Sequence, residues 1–271
     1  MTPAPDEASR PPGQRRPAVV FLVFVVFFVV SLFTNILGPL IPEIISAFHL
    51  SLTAAGLMPF AFFAAYGLSS IPAGIWIEHA SAKRVLVASF ALALASALAF
   101  AVLPAYGIAI GSLFAMGVAM AAVQVAVNPL LRVAGGEEHF AFYSTLAQLI
   151  FGSASFVSPR IYSALVGQGR SWVSVYWIFA LLAAIMIAVV WVAPLPRAPR
   201  TEEERAGTLA AHVALARGGV VPVYFVSIFM YVGSEQGIAN WMSQFLATYH
   251  HVDARTAGAD AVSVFWGLMT V

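Results

Sequence analysis

One carboxylate lies inside an otherwise apolar stretch of this sequence. Glu235 stands near the middle of the segment from about Val220 to Tyr249, and it is the only carboxylate well inside any long apolar stretch. An ionised carboxyl group in apolar surroundings must find a partner or take up a proton. Glu235 is therefore a candidate for a protonatable or cation-contacting role, or for a hydrogen bond to substrate hydroxyls. A glutamic acid bonded to a neighbouring helix is the structural alternative.

Amide side chains follow Glu235 at helical spacing. Gln236, Asn240 and Gln244 are four residues apart and form one polar stripe on a helix, with Trp241 beside it. Amides donate to and accept from hydroxyl groups, and an indole ring packs against the C–H face of a sugar. We predict substrate contacts for Gln236, Asn240 and Trp241. Trp241 could equally anchor the end of the helix at a membrane interface.

Three other apolar stretches carry polar groups on one helical face. Gln124 and Asn128 are one turn apart and precede Pro129, Asn35 precedes a Gly38-Pro39 break, and Gln148 lies one turn after Ser144. Such groups can simply join helices. Four helices with polar faces favour a shared cavity, and Asn35, Gln124, Asn128 and Gln148 are its predicted substrate-binding residues.

The residues that an intramembrane enzyme needs are missing from these stretches. No aspartate lies inside them, and the six histidines lie in or beside the loops. The chain has no cysteine, which excludes disulfides and thiolate metal sites. We therefore predict no enzymatic activity, no metal site and no cofactor.

The composition indicates that the helices lie in a bilayer. Hydrophobic residues make up 61% of the 271 residues and charged residues only 9%, against about 45–50% and about 25% in soluble domains. Lipid is the solvent in which so apolar a chain is stable, and the bilayer is its predicted partner. The net charge of +1 favours no nucleic-acid partner.

Apolar periodicity predicts seven spans and the beginning of an eighth. Their approximate limits are Val19–Ile41, Ala54–Ile77, Val85–Leu103, Tyr106–Leu131, Phe140–Leu165, Val173–Ala193 and Val220–Tyr249, followed by Ala261–Val271. The domain organisation follows: a cytoplasmic tail over 1–16, a six-helix bundle over 17–193, a cytoplasmic linker over 194–219 and the start of a second bundle over 220–271. Since the apolar segment that begins at Ala261 is still incomplete at the last residue, we expect a longer chain.

Positive charges set the orientation. A cytoplasmic N-terminus places ten basic residues on the cytoplasmic side and three on the other, in agreement with the positive-inside rule. The ten are Arg10, Arg15, Arg16, Lys83, Arg84, Arg132, Arg197, Arg200, Arg205 and Arg217. The three are Arg160, Arg170 and Arg255. We predict a multi-pass protein of the inner (plasma) membrane.

Several motifs resemble those of the major facilitator superfamily, and more narrowly of its fucose/galactose/glucose permease branch. They occur in order along the chain: Ala55–Gly67, Ile71–Gly74 and Lys83-Arg84, then Val123–Pro129, Tyr231–Glu235 and Phe265–Gly267. The acidic-basic-glycine turn usual after span two is degenerate here, with Glu78, His79 and Ser81 in its place.

This resemblance implies an all-α membrane protein: a complete N-terminal six-helix half, helix 7 and the start of helix 8. It further implies alternating access to a midplane site for a hexose or deoxyhexose, often moved with a proton or sodium ion. Asn35 and Gln124 stand where some proton-coupled members have aspartate and glutamate, and Phe151 stands where fucose-transporting members have asparagine. Glu235 is then the sole titratable candidate for cation coupling. Efflux of small amphipathic drugs or metabolites, and an inactive transporter fragment, are the alternative functions.

Overall fold

The computed structural model describes residues 16–196, 214 and 218–270, and these contain helices and no strand. The helices are α1 (Pro17–Asn35), α2 (Leu37–Phe48), α3 (Leu52–His79), α4 (Ala82–Val102), α5 (Tyr106–Gly135), α6 (Phe140–Gly167), α7 (Ser174–Val192), α8 (Val220–His250) and α9 (Ala259–Thr270). The predicted all-α class is confirmed. The predicted cytoplasmic tail, and most of the predicted linker with it, lie outside the described residues.

Six helical segments of the described chain are long and apolar enough to cross a bilayer, and they correspond to the first six predicted spans. The seventh prediction, α8, forms a helix of 31 residues. It falls outside the apolar set because Ser234, Glu235 and Gln236 interrupt its hydrophobic sequence. The eighth, α9, is described over 12 residues.

The predicted end of span one, at about Ile41, is wrong. The helix breaks at Ile36 and then continues as α2 to Phe48. Pro39 explains the break, because its ring removes one N–H donor and collides with the carbonyl of the residue four positions earlier. His49 then ends α2 in a left-handed conformation with φ of 52°.

The first seven helices form one packed body around α1 and α5. α3 and α4 both pack against α5, α1 packs against α5 and α6, and α4 also packs against α7. α8 packs against α2, and α9 packs against α6. These last two contacts join α8 and α9 to the first bundle, and they enclose the candidate site described below.

Two contacts show that successive membrane segments alternate in direction. The N–H of Arg16 donates to the carbonyl of Ala134 at 2.9 Å, and Nζ of Lys83 donates to the carbonyl of Trp191 at 2.7 Å. The beginning of α1, the end of α5, the α3–α4 turn and the end of α7 therefore share one face. We call it the N-terminal side. The α6 end near Gly167 and the segment between α8 and α9 lie on the opposite side.

A close helix crossing in the first bundle yields a stability prediction. A Cβ added to Gly117 of α5 would meet the backbone of Phe62 and lie 3.1 Å from the Cβ of Ala65, whereas one added to Gly111 would meet no atom within 4 Å. We expect Gly117→Val to lower the stability of the fold by about 2–3 kcal/mol, because overpacking forces α3 and α5 apart. Thermal unfolding in detergent measures the loss. Gly111→Val, the same change in the same helix, should leave the midpoint nearly unchanged. Equal midpoints for the two variants would contradict the prediction.

Candidate functional site: a cavity between α6, α8 and α9

A cavity of about 620 Å³ lies where α6, α8 and α9 meet. Its lining combines apolar and aromatic side chains with hydroxyl, amide and carboxyl groups, the pattern of a small-molecule site. The polar residues in the lining are Thr145, Gln148, Ser155, Tyr231, Glu235 and Thr270. The apolar and aromatic residues are Phe142, Leu146, Leu149, Phe151, Trp266 and Met269, and Gly152 completes the wall.

The helix directions place this cavity toward the N-terminal side. The lining residues of α6 run from Phe142, near the start of that helix on this side, to Ser155, just past its middle. Those of α9 belong to its end, which returns to the N-terminal side. Tyr231 and Glu235 lie at the middle of α8. The cavity therefore reaches from the N-terminal side to about half the depth of the bundle.

Glu235 is half-buried in the wall of the cavity. Its predicted role in cation coupling stays a prediction. Tyr231, one helical turn earlier, is its hydrogen-bonding neighbour and also lines the cavity. Among the described lining residues none is a lysine or arginine. A carboxyl group held by one phenol and no fixed cation can exchange a proton or contact a mobile cation.

Gln148 of α6 lines the same cavity as Glu235. Its amide carries two donor hydrogens and a carbonyl acceptor, and it is exposed to the cavity and its surroundings. Thr145, one turn earlier, adds a hydroxyl. Gln148 and Glu235 are 87 positions apart in sequence (235 − 148), but both line this one cavity.

Asn35 lies behind the cavity wall rather than in it. Its amide nitrogen donates to Oγ of Ser155 at 2.9 Å and to the carbonyl of Ser31 at 3.2 Å, and Oγ of Ser31 lies 2.8 Å from Oγ of Ser155. This buried network joins α1 to α6, and Ser155 lines the cavity. The Oδ1 atom of Asn35 is buried without a hydrogen-bond partner among the described residues. Asn35 therefore contacts the site through Ser155.

The other predicted site residues lie outside the lining of the cavity. Asn240 is buried and donates to the carbonyl of Gln236 at 2.8 Å, so these amides bond within α8. Trp241 approaches α3, with its ring 3.5 Å from the position of a Cβ on Gly56. Gln124 is half-buried and Asn128 exposed on α5. Substrate contacts for these five residues remain predictions.

Sequence reasoning missed several lining residues. Tyr231 is four residues before Glu235, so helical spacing could have identified it. Trp266 and Thr270 come from α9, whose twelve described residues are too few for a polar face to be recognised. Glu43, which lies outside the cavity lining, was missed as well, because span one was predicted to end before it.

Glu43 belongs to a cluster on the opposite side, beyond the cavity. Its carboxylate accepts a hydrogen bond from the hydroxyl of Tyr162 at 3.1 Å and two from the guanidinium of Arg255, one through Nε and one through Nη2 at 3.2 Å. This hydrogen bonding, together with the negative charge of Glu43, raises the pKa of Arg255 above its ordinary value. Arg255 therefore stays charged, and the pair joins α2 and α6 to the segment after α8.

Comparisons with known proteins agree with this architecture. The model of the Major Facilitator Superfamily matches residues 23–271. A glucose/galactose transporter of Brucella abortus biovar 1 (strain 9-941) is 26% identical over 261 residues, which cover 89% of this chain and 61% of that protein. The L-fucose-proton symporter of Escherichia coli (strain K12) is 31% identical over 141 residues, which cover 50% of this chain and 32% of the symporter.

Solved structures show the same fold. The outward conformation of the transporter FucP matches with a TM-score of 0.62 at 21% identity, covering 83% of this chain and 62% of that one. An inward-facing, occupied bacterial homologue of the human lysosomal transporter Spinster matches with a TM-score of 0.64 at 15% identity, covering 92% and 58%. The chain thus spans about three-fifths of the length of the Brucella transporter and of these two solved chains. With a family model that matches nearly all of its residues, this helical membrane chain belongs to the Major Facilitator Superfamily, whose members are transporters and not enzymes.

Proposed function

We propose that this multi-pass membrane protein carries a monosaccharide, a hexose or deoxyhexose, across the inner (plasma) membrane by alternating access. The observation that carries the proposal is the cavity wall in which Gln148, Glu235 and Tyr231 present polar groups beside Trp266 and Phe151. Sugars need both hydroxyl partners and a flat apolar surface, and this lining offers the two together. The named activities of the Brucella and Escherichia coli relatives support the same substrate class.

Glu235 is the proposed site of cation coupling, with a proton or sodium ion as the coupled cation. It is the carboxyl group of the cavity lining, and Tyr231 is its hydrogen-bonding neighbour there. A cation bound to Glu235 neutralises the charge of its carboxylate while the substrate occupies the cavity. The coupling would allow an ion gradient to drive accumulation of the sugar.

The orientation proposed for the chain has the N-terminal side in the cytoplasm. The structure places Arg16, Lys83 and Arg132 at helix ends on this side. Arg160, Arg170 and Arg255 lie toward the other. With this orientation, the cavity described here faces the cytoplasm.

A binding screen tests the substrate class. Purified protein in detergent is titrated with hexoses, deoxyhexoses and lipophilic cations, and binding is followed by tryptophan fluorescence, since Trp266 lines the cavity. Saturable quenching by a monosaccharide supports the proposal. Saturable quenching by lipophilic cations alone would replace it with drug efflux, and the absence of any saturable response would leave the chain without a substrate site.

Replacement of the cavity amide gives a sharper test. We expect Gln148→Leu to weaken monosaccharide binding about tenfold, because a hydroxyl would be left without its partner in a partly buried site. The dissociation constant of the best sugar in the fluorescence titration measures the loss. Gln168→Leu, the same change at the exposed end of the same helix, should bind the sugar as the parent does. Equal affinities for the two variants would exclude Gln148 from the sugar site.

A further inference from the structure

The opposite side of the bundle is closed by contacts of α2 and α6 with α8, α9 and the segment between α8 and α9. Gly38 of α2 crosses α8 so closely that a Cβ there would lie 3.3 Å from the Cα of Asn240. A Cβ added to Gly258, just before α9, would likewise lie 3.4 Å from the Cα of Ser243 in α8. Ser243 is fully buried in this layer. Among the described residues, α2 and the turn before α9 therefore pack closely against α8 between the cavity and the opposite side.

An ion pair covers this packed layer. Glu43 is only 13% exposed, whereas Arg255 is 58% exposed, so the guanidinium reaches in from the surface to a carboxylate that is mostly buried. Tyr162 supplies the remaining hydrogen bond to Glu43. The charged and titratable groups around Glu43 are therefore Arg255, Tyr162 and, through its charge on Tyr162, Asp253.

The segment that carries Arg255 is held in place by its own hydrogen bonds. Asp253 accepts from the N–H of Arg255 at 2.9 Å and from the hydroxyl of Thr256 at 3.2 Å. Ser163 of α6 donates to the backbone carbonyl of Arg255. A second, more exposed pair joins α6 to α9, with Arg160 and Asp260 3.6 Å apart. Arg255 is thus presented to Glu43 by an ordered turn.

The position of these residues distinguishes them from the cavity. Along α6, Tyr162 is seven residues beyond Ser155 (162 − 155), the deepest lining residue of that helix, a rise of about 10 Å toward the opposite side. The cluster therefore makes no contact with the cavity. The cluster joins α2 and α6 to the segment between α8 and α9. These two parts must separate if the cavity is to open on the opposite side.

We propose that Glu43, Arg255 and Tyr162 form a latch that holds the opposite side closed, and that this latch breaks each time the cavity opens toward that side. The inference rests on the alternating access proposed above. Closing the latch recovers two charge-assisted hydrogen bonds on a largely buried carboxylate, and opening it exposes both charges to water. The latch therefore sets the balance between the two access states without touching the substrate.

Cysteine labelling tests the latch, and the absence of cysteine from the chain makes every introduced thiol a specific reporter. Ser243→Cys places one thiol in the closed layer, and Thr145→Cys places another in the cavity on the N-terminal side. The probe is a membrane-impermeant maleimide, applied to intact cells for the opposite side and to inverted membranes for the N-terminal side. The labelling rates of the two thiols report the two access states and need no substrate.

We expect Glu43→Gln and Arg255→Ala each to raise the labelling rate of Cys at position 243 about fivefold or more from the opposite side, and to lower that at position 145. The charge-swapped double variant, Glu43→Arg with Arg255→Glu, should restore much of the slow labelling at position 243. Arg170→Ala, at an exposed arginine on the same side, should label as the parent does.

Three results would overturn the latch: unchanged labelling at position 243 in both single variants, no recovery in the double variant, or the same increase for Arg170→Ala. Faster labelling of both thiols from both sides would indicate misfolding of a Glu43 variant. In that case the labelling of Arg255→Ala tests the latch, because this change alters only an exposed side chain of the segment after α8. If the labelling follows the prediction but no monosaccharide binds, the latch stands and the proposed substrate fails.

Discussion

Glu235→Gln should abolish cation-driven accumulation of the sugar while leaving exchange of sugar across the membrane partly intact. One positive charge moved through about 100 mV contributes about 2.3 kcal/mol, which supports roughly 50-fold accumulation. Glutamine keeps the size and hydrogen-bonding capacity of the side chain but cannot titrate or neutralise a cation. We therefore expect the accumulation ratio to fall to about one.

Uptake of radiolabelled sugar into proteoliposomes measures this effect. Net uptake is followed with a proton gradient, with a sodium gradient and with neither, and exchange is followed with sugar on both sides. Glu138→Gln changes an exposed loop carboxylate on the N-terminal side and should retain the gradient dependence of the parent. An unchanged dependence on pH and sodium in Glu235→Gln would remove Glu235 from coupling, whatever its effect on affinity.

Gly38→Leu should reduce transport at least about tenfold by preventing closure of the opposite side. A Cβ at position 38 would already meet the backbone of Ala239, and a leucine side chain would need several further ångströms between α2 and α8. Overpacking of this kind costs about 1–3 kcal/mol, and the cost applies only to the closed arrangement. The open arrangement is favoured in consequence.

Two measurements separate this effect from loss of folding. Exchange of labelled sugar in proteoliposomes should fall, and the thiol of Ser243→Cys should label faster from the opposite side. Gly74→Leu is the matched control, because a Cβ on Gly74 of α3 would meet no atom within 4 Å. Gly38→Ala should show a smaller effect in the same direction. Normal exchange in Gly38→Leu would mean that the α2–α8 crossing does not need to close during transport.

The positions of the helices were largely predictable because hydropathy is a local property. A run of about twenty apolar residues crosses the bilayer whatever its neighbours are, so spans two to six were found within a few residues of their ends. The end of span one was misjudged because the helix continues after the Gly38-Pro39 break as α2, beyond the end of the apolar run. Its apolar run and the amphipathic α2 form one segment from Pro17 to Phe48.

The candidate site was predictable only in part. Glu235 and Gln148 were identified because polar groups are rare and costly at membrane depth, and both line the cavity. Asn240, by contrast, satisfies its amide within its own helix, and Asn35 uses its amide nitrogen to join α1 to α6. A residue type at helical spacing does not reveal which of these partners it will have.

The sequence by itself determined that this chain is a bundle of membrane helices, where most of them begin and end, and that Glu235 lies in the middle of one of them. These features follow from side-chain hydropathy over a single segment. Only the tertiary structure decided that Gln148 and Glu235 share a cavity, and that Glu43 meets Arg255 across 212 positions. The rotation of each helix about its axis and its crossing with distant helices depend on packing of the whole bundle, which no local pattern specifies.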